Sequence, residues 1–128
     1  MNPLNEKLVT GTIGELLVQL RLFQYDVQAA PPLKDSGNDL IAIRGHTFRA
    51  IQVKTTSSQD GLVRAPTDRL YHILAFVRLH GENHELFLDE SEVFLITRNE
   101  IEEGLFNHNS LDRFRISYEL VNSLFPPQ

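Results

Sequence analysis

The chain has 128 residues, 41% of them hydrophobic, with 17 acidic side chains against 12 basic ones, a formal net charge of −5 and no cysteine. That length fits one domain, 1–128, with a real core, and the missing cysteines exclude a disulfide framework, thiol catalysis and zinc-finger chemistry. No run approaches a membrane span, and Met1-Asn2-Pro3-Leu4-Asn5 lacks the basic start and apolar block of a secretory signal, so the expectation is a cytoplasmic protein with no membrane partner.

In chain order, a helix is predicted from about Asn5 to Gln24, with apolar residues at Leu8, Val9, Ile13, Leu16, Leu17, Leu20 and Phe23. A short strand near Tyr25 to Gln28 follows, then the loop Ala29-Ala30-Pro31-Pro32. Residues 35–44 read as a loop entering a strand, Gly45-His46 as a turn and Thr47 to Lys54 as the return strand. Residues 55–69 are a polar loop, with room for a short helix around Asp68 to His72. Ile73 to Leu79 and Glu85 to Leu88 alternate as strands joined at His80-Gly81-Glu82-Asn83-His84, and Val93 to Ile96 is a further strand. Thr97-Arg98-Asn99-Glu100 has capping-box spacing, which starts a helix at Arg98 that stops near Gly104. Phe114 and Ile116 alternate, whereas Leu120, Val121, Leu124 and Phe125 space as a helix. The sum is a mixed α/β domain, a central sheet flanked by helices.

The hairpin carries the first functional signal. A two-residue turn at Gly45-His46 makes strand partners sum to 91 in residue number. Asp39 then lies opposite Gln52, Cβ atoms roughly 5 Å apart, and Lys54 points to the same side. Ile41 opposite Ala50 and Ile43 opposite Phe48 make the rest of that face apolar, so it is expected to face the core. A carboxylate, an amide and an ammonium at its end are costly unless paired or bound to something. On the helical wheel Glu15 shares an arc with Leu4, Leu8, Gly11, Val18 and Leu22, while Glu6, Lys7, Thr10 and Arg21 lie on another side. Gly11, one turn before Glu15, leaves space beside it. A helix packed on the hairpin face would aim Glu15 at Asp39 and Gln52.

Two carboxylates and an amide oxygen are hard ligands that suit Mg2+ or Mn2+. A nearby lysine adds positive charge, or a proton-transfer group. Metal-assisted phosphodiester hydrolysis uses this combination. Gly11-x-x-Gly14-Glu15, Asp39 opening a strand and Gln52-x-Lys54 closing the next resemble the PD-(D/E)xK nuclease superfamily, over roughly residues 6 to 57. The resemblance implies a restriction-endonuclease-like αβββαβ core and divalent-metal-dependent DNA cleavage. Glu15 and Asp39 would be metal ligands, Gln52 would take the second acidic position and Lys54 would be the catalytic lysine. Asn38 stands where the family has proline, and Gln52, which contributes no formal charge, replaces an acid.

Residues 34–69 hold six basic side chains against four acidic ones; residues 82–103 hold eight acidic ones against Arg98 alone. Thr55, Thr56 and Ser57 offer hydrogen-bond donors to DNA phosphates, and Lys34, Arg64 and Arg69 offer charge. His80 and His84 read as surface residues flanking a turn. The small domain is expected to act as a homodimer or with a partner supplying recognition. Two other readings compete: an inactive module of the same fold, binding DNA or protein within an assembly, and an adaptor that docks a basic partner on Glu100, Glu102 and Glu103.

Overall fold

The computed structural model describes residues 5–34, 38–57 and 64–127; Leu4, the first loop residues 35–37 and part of the polar loop, 58–63, lie outside them. Asn5 caps the first helix, its Oδ1 accepting the Leu8 N–H at 2.8 Å. Helix α1 runs Glu6–Gln24. The Tyr25 and Asp26 N–H groups still bond to the last helical carbonyls, Leu22 and Phe23, and Asp26 turns the chain at φ 65°. These residues finish the helix, so strand β1 starts at Gln28 and runs to Ala30, later than its apolar residues suggested.

Strands β2 (Leu40–Arg44) and β3 (Thr47–Thr56) form the expected hairpin. Gly45, at φ 59°, takes the first turn position, where glycine suits a two-residue hairpin loop. Every pair from Leu40–Ile51 to Arg44–Thr47 sums to 91. β3 pairs in parallel with β4 (Ile73–Arg78). The described part of the connection, 64–72, bends without forming the short helix expected near Asp68 to His72. Instead the Tyr71 hydroxyl donates to the Pro66 carbonyl at 2.6 Å. His72 exchanges bonds with Ala50, giving its N–H to the carbonyl at 2.9 Å and taking the Ala50 N–H on Nδ1 at 2.9 Å.

After β4 comes a miniature hairpin, β5 (Gly81–Glu82) and β6 (Glu85–Leu86), turning on Asn83 and His84 at φ 50° and 68°. His80, in front of it, bonds Glu92 at 3.2 Å. The segment from Glu85 does not return along β4; β7 (Glu92–Thr97) takes that place, antiparallel. The sheet order is β1-β2-β3-β4-β7. Thr97 and Glu100 form the capping box of helix α2 (Arg98–Glu102). A 3-10 turn at Asp112–Phe114, a bridge from Arg115 to Phe94 and helix α3 (Tyr118–Leu124) resolve the ambiguous last stretch. No helix among the described residues is long and apolar enough to cross a membrane.

The architecture is mixed α/β, a five-stranded mixed sheet with helices. One core joins Leu17, Val18 and Leu22 of α1 to Leu40, Ala42, Ile51 and Val53 of the hairpin and to Val121 and Phe125. A second, on the other face, gathers Phe76, Phe94, Ile96, Leu111 and Phe114. This corrects one expectation. α1 covers the hairpin face of Leu40 and Ile51, not that of Ile41 and Phe48, which are 37% and 58% exposed. Both faces of the ribbon are apolar, so alternation alone could not choose between them.

Candidate active site

Gly14 sets the site's geometry. A Cβ on it would fall on Thr55 Oγ1 and within 2.8 Å of Thr55 Cβ and Cγ2. The missing side chain lets α1 cross β3 at contact distance, and the next residue, Glu15, reaches the groove at the C-terminal end of β3. The helix therefore delivers Glu15 at the strand end while lying on the opposite sheet face from Gln52 and Lys54. Gly11, by contrast, has nothing among the described residues within 4 Å of where a Cβ would stand.

Asp39 sits one residue before β2. Its Oδ2 accepts two hydrogen bonds, from Gln52 Nε2 at 2.8 Å and from the Val53 N–H at 2.8 Å. The Asp39 N–H donates to the Ile51 carbonyl at 3.0 Å, continuing the ladder past the last strand pair. Gln52 is only 5% exposed. With its amide nitrogen committed to Asp39, its Oε1 is buried and has no hydrogen-bond partner among the described residues. Leaving a buried carbonyl oxygen unsatisfied carries a desolvation cost of about 1–3 kcal/mol.

Burial pushes the Glu15 carboxyl above its ordinary pKa, and the negative charge of Asp39 pushes it the same way. Glu15 thus binds its proton more tightly in the folded chain than in the unfolded one. The resulting stability is complete at acid pH and is lost as pH rises through the raised folded pKa. In metal-free buffer Glu15→Gln should therefore be more stable than wild type at neutral pH, by a margin that solvent screening keeps small. The gain should vanish near pH 4. Urea unfolding at both pH values measures it; a gain that persists in acid would contradict the raised pKa.

Lys54 lies beside Thr55, Thr56 and Ser57 along the same open groove, about 780 Å³, whose other wall is Asn5, Glu6, Lys7, Thr10, Gly11 and Glu15 of the α1 side. Lys54 makes no salt bridge to any described residue. The structure thus brings Glu15, Lys54, Thr55, Thr56 and Ser57 together, with Asp39 and Gln52 joined by their hydrogen bond at the same strand end. Lys34, Arg64 and Arg69 are exposed and do not line the groove. Lys7 and Thr10, placed by helix phase on another side from Glu15, do line it.

The residues fit a hard divalent cation in kind. Glu15 and Asp39 supply two carboxylates, and Gln52 Oε1 is a buried oxygen awaiting a partner. They fit it sparingly in charge: among the described residues no three His, Cys, Asp or Glu side chains gather where a metal ion could sit. Among the described residues, two acids and an amide are the donors that meet at this strand end.

No family model and no curated protein matches this chain. A solved structure that resembles it is a bacterial homing endonuclease, I-Ssp6803I, with a TM-score of 0.44 and 12% sequence identity, over 73% of this chain and 70% of that one. The chemistry of the present chain therefore rests on its own side chains.

Proposed function

We propose that this protein is a divalent-metal-dependent DNA endonuclease of PD-(D/E)xK type, with Gln52-x-Lys54 in place of Glu-x-Lys. The observation that carries the reading is the orphaned, buried Gln52 Oε1, hydrogen-bonded through its own amide to a carboxylate whose charge raises the pKa of a second carboxylate. A cation there would satisfy the oxygen and neutralise the repulsion together. Glu15, Asp39 and Gln52 would hold Mg2+ or Mn2+, which when bound supplies charge stabilisation at a phosphate and lowers the pKa of a water. The chain's own work is positioning. Asp39 fixes the Gln52 amide, and the ammonium of Lys54 offsets charge on the phosphate and orients the attacking water. Thr56 and Ser57 along the groove would offer hydroxyl donors to phosphate oxygens, whereas the Thr55 hydroxyl, expected from the sequence to do the same, is buried against Gly14.

A metal titration tests this. With a dissociation constant near the millimolar range, 10 mM Mn2+ should stabilise the wild type by about 1.4 kcal/mol, while Asp39→Asn gains nothing. Equal gains in both proteins would remove Asp39 from the ligand set. Binding of Mn2+ neither with nor without DNA would favour the inactive module, the reading that the sparse acid set supports. The adaptor reading loses ground: Glu100 is committed to the Thr97 capping box and Glu102 to Arg98 at 3.1 Å, so neutralising them removes structural contacts. The proposal includes a second copy of the chain or a recognition partner. The exposed apolar stripe of Leu16, Leu20 and Phe23 along α1 supports that part, Leu16 and Phe23 being 59% and 65% exposed.

A further inference from the structure

Two residues on the α1 wall of the groove are choices the fold does not require. Gly11 lies in the interior of a 19-residue helix, where glycine is less favourable than alanine, and a Cβ there would meet nothing within 4 Å among the described residues. Gly14 is explained by Thr55; Gly11 has no such neighbour. Lys7 is the second residue of the same helix, where the positive end of the macrodipole disfavours a cation. It makes no salt bridge to any described residue. Both line the groove that holds Glu15 and Lys54. Glu6, beside Lys7, also lines it and is the charge a helix start prefers. Bare backbone at one position and a dipole-opposed cation one turn away suit a close-fitting polyanion better than they suit the helix.

We infer that a phosphodiester strand lies along the N-terminal half of α1, packed against the bare backbone at Gly11, with Lys7 holding a phosphate neighbouring the one at Lys54. The inference rests on the nuclease reading and adds two substrate-positioning residues to it. Gly11 sets how closely the strand approaches, and Lys7 sets its register along the groove.

Four full-length proteins decide it: wild type, Gly11→Ala, Gly11→Leu and Lys7→Glu. Each is measured for thermal midpoint, Mn2+ affinity by calorimetry, binding of a short duplex oligonucleotide in Ca2+ across a salt series, and plasmid nicking in Mn2+. Gly11→Ala and Lys7→Glu are expected to raise the thermal midpoint by a few degrees (about 2–5 °C), because each removes a helix penalty. Gly11→Leu should lower DNA affinity about ten-fold or more and raise KM for nicking, with Mn2+ affinity unchanged, since one bulky side chain fills the approach. Lys7→Glu should reduce the slope of log affinity against log salt by about one. If the wild type nicks DNA and Gly11→Leu and Lys7→Glu bind and nick as it does, this inference falls and the nuclease reading stands. If the wild type binds neither Mn2+ nor DNA, both fall.

Discussion

Gly14→Ala is expected to destabilise the protein by about 3 kcal/mol, although the same change in an open helix position would stabilise it by about 1 kcal/mol. The sign is the test, because it depends wholly on the contact with Thr55. The new Cβ would overlap Thr55 Oγ1, and Thr55 Cβ and Cγ2 would both stand 2.8 Å away. The strand cannot retreat, since Thr55 is held by parallel pairing to Val77 and Val53 and Val77 belong to the buried core. The helix must move, and Glu15 moves with it. Thr55 Oγ1 is buried without a hydrogen-bond partner, so Thr55→Ala alone should cost less than about 1 kcal/mol. In the Gly14→Ala background it should restore more than half of the lost stability, a strongly non-additive pair. Additive costs in urea unfolding would show that the crossing is looser than this geometry.

The second large effect is a contrast between two substitutions at one position. Asp39→Ala removes the acceptor of both the Val53 N–H and the Gln52 amide, and Gln52 is too buried to recover its bond from water. Two orphaned donors predict a loss of about 2–4 kcal/mol. Asp39→Asn keeps an acceptor for Val53, and its own amide can donate to the Gln52 oxygen once that side chain turns over. It should cost less than about 1 kcal/mol. The two variants should be equally unable to bind Mn2+, so asparagine separates the chemistry from the fold. Matching unfolding midpoints for alanine and asparagine would contradict the role given to Asp39 Oδ2.

The hairpin was legible in the sequence down to its register, because Gly45-His46 is too short a loop to permit another pairing, and side-chain parity follows from it. Which face meets the helix was not legible. Ile41, Ile43 and Phe48 on one side are as apolar as Leu40, Ala42 and Ile51 on the other, and the choice is made by Gly14 seating against Thr55, a contact between residues far apart in sequence. Helix phase placed Glu15 on the apolar arc of α1 but not the strand end it reaches, because the hairpin face that α1 covers is the other one. Lys7 and Thr10 were not legible, because the groove is shaped by where the strand ends. The partner of β4 was misassigned for a related reason. Glu85 follows the turn immediately and offers the shortest return, yet its strand closes on Gly81–Glu82 and leaves the long edge of β4 to Glu92–Thr97.

Nicking of supercoiled plasmid in Mn2+ by purified wild type and Lys54→Ala, side by side with their unfolding midpoints, bears most directly on the central claim. The account predicts that the wild type nicks and that Lys54→Ala is slower by about 100-fold or more, with an unfolding midpoint close to that of the wild type. A wild type that leaves the plasmid intact, or a Lys54→Ala protein that nicks it at the same rate, would contradict the account.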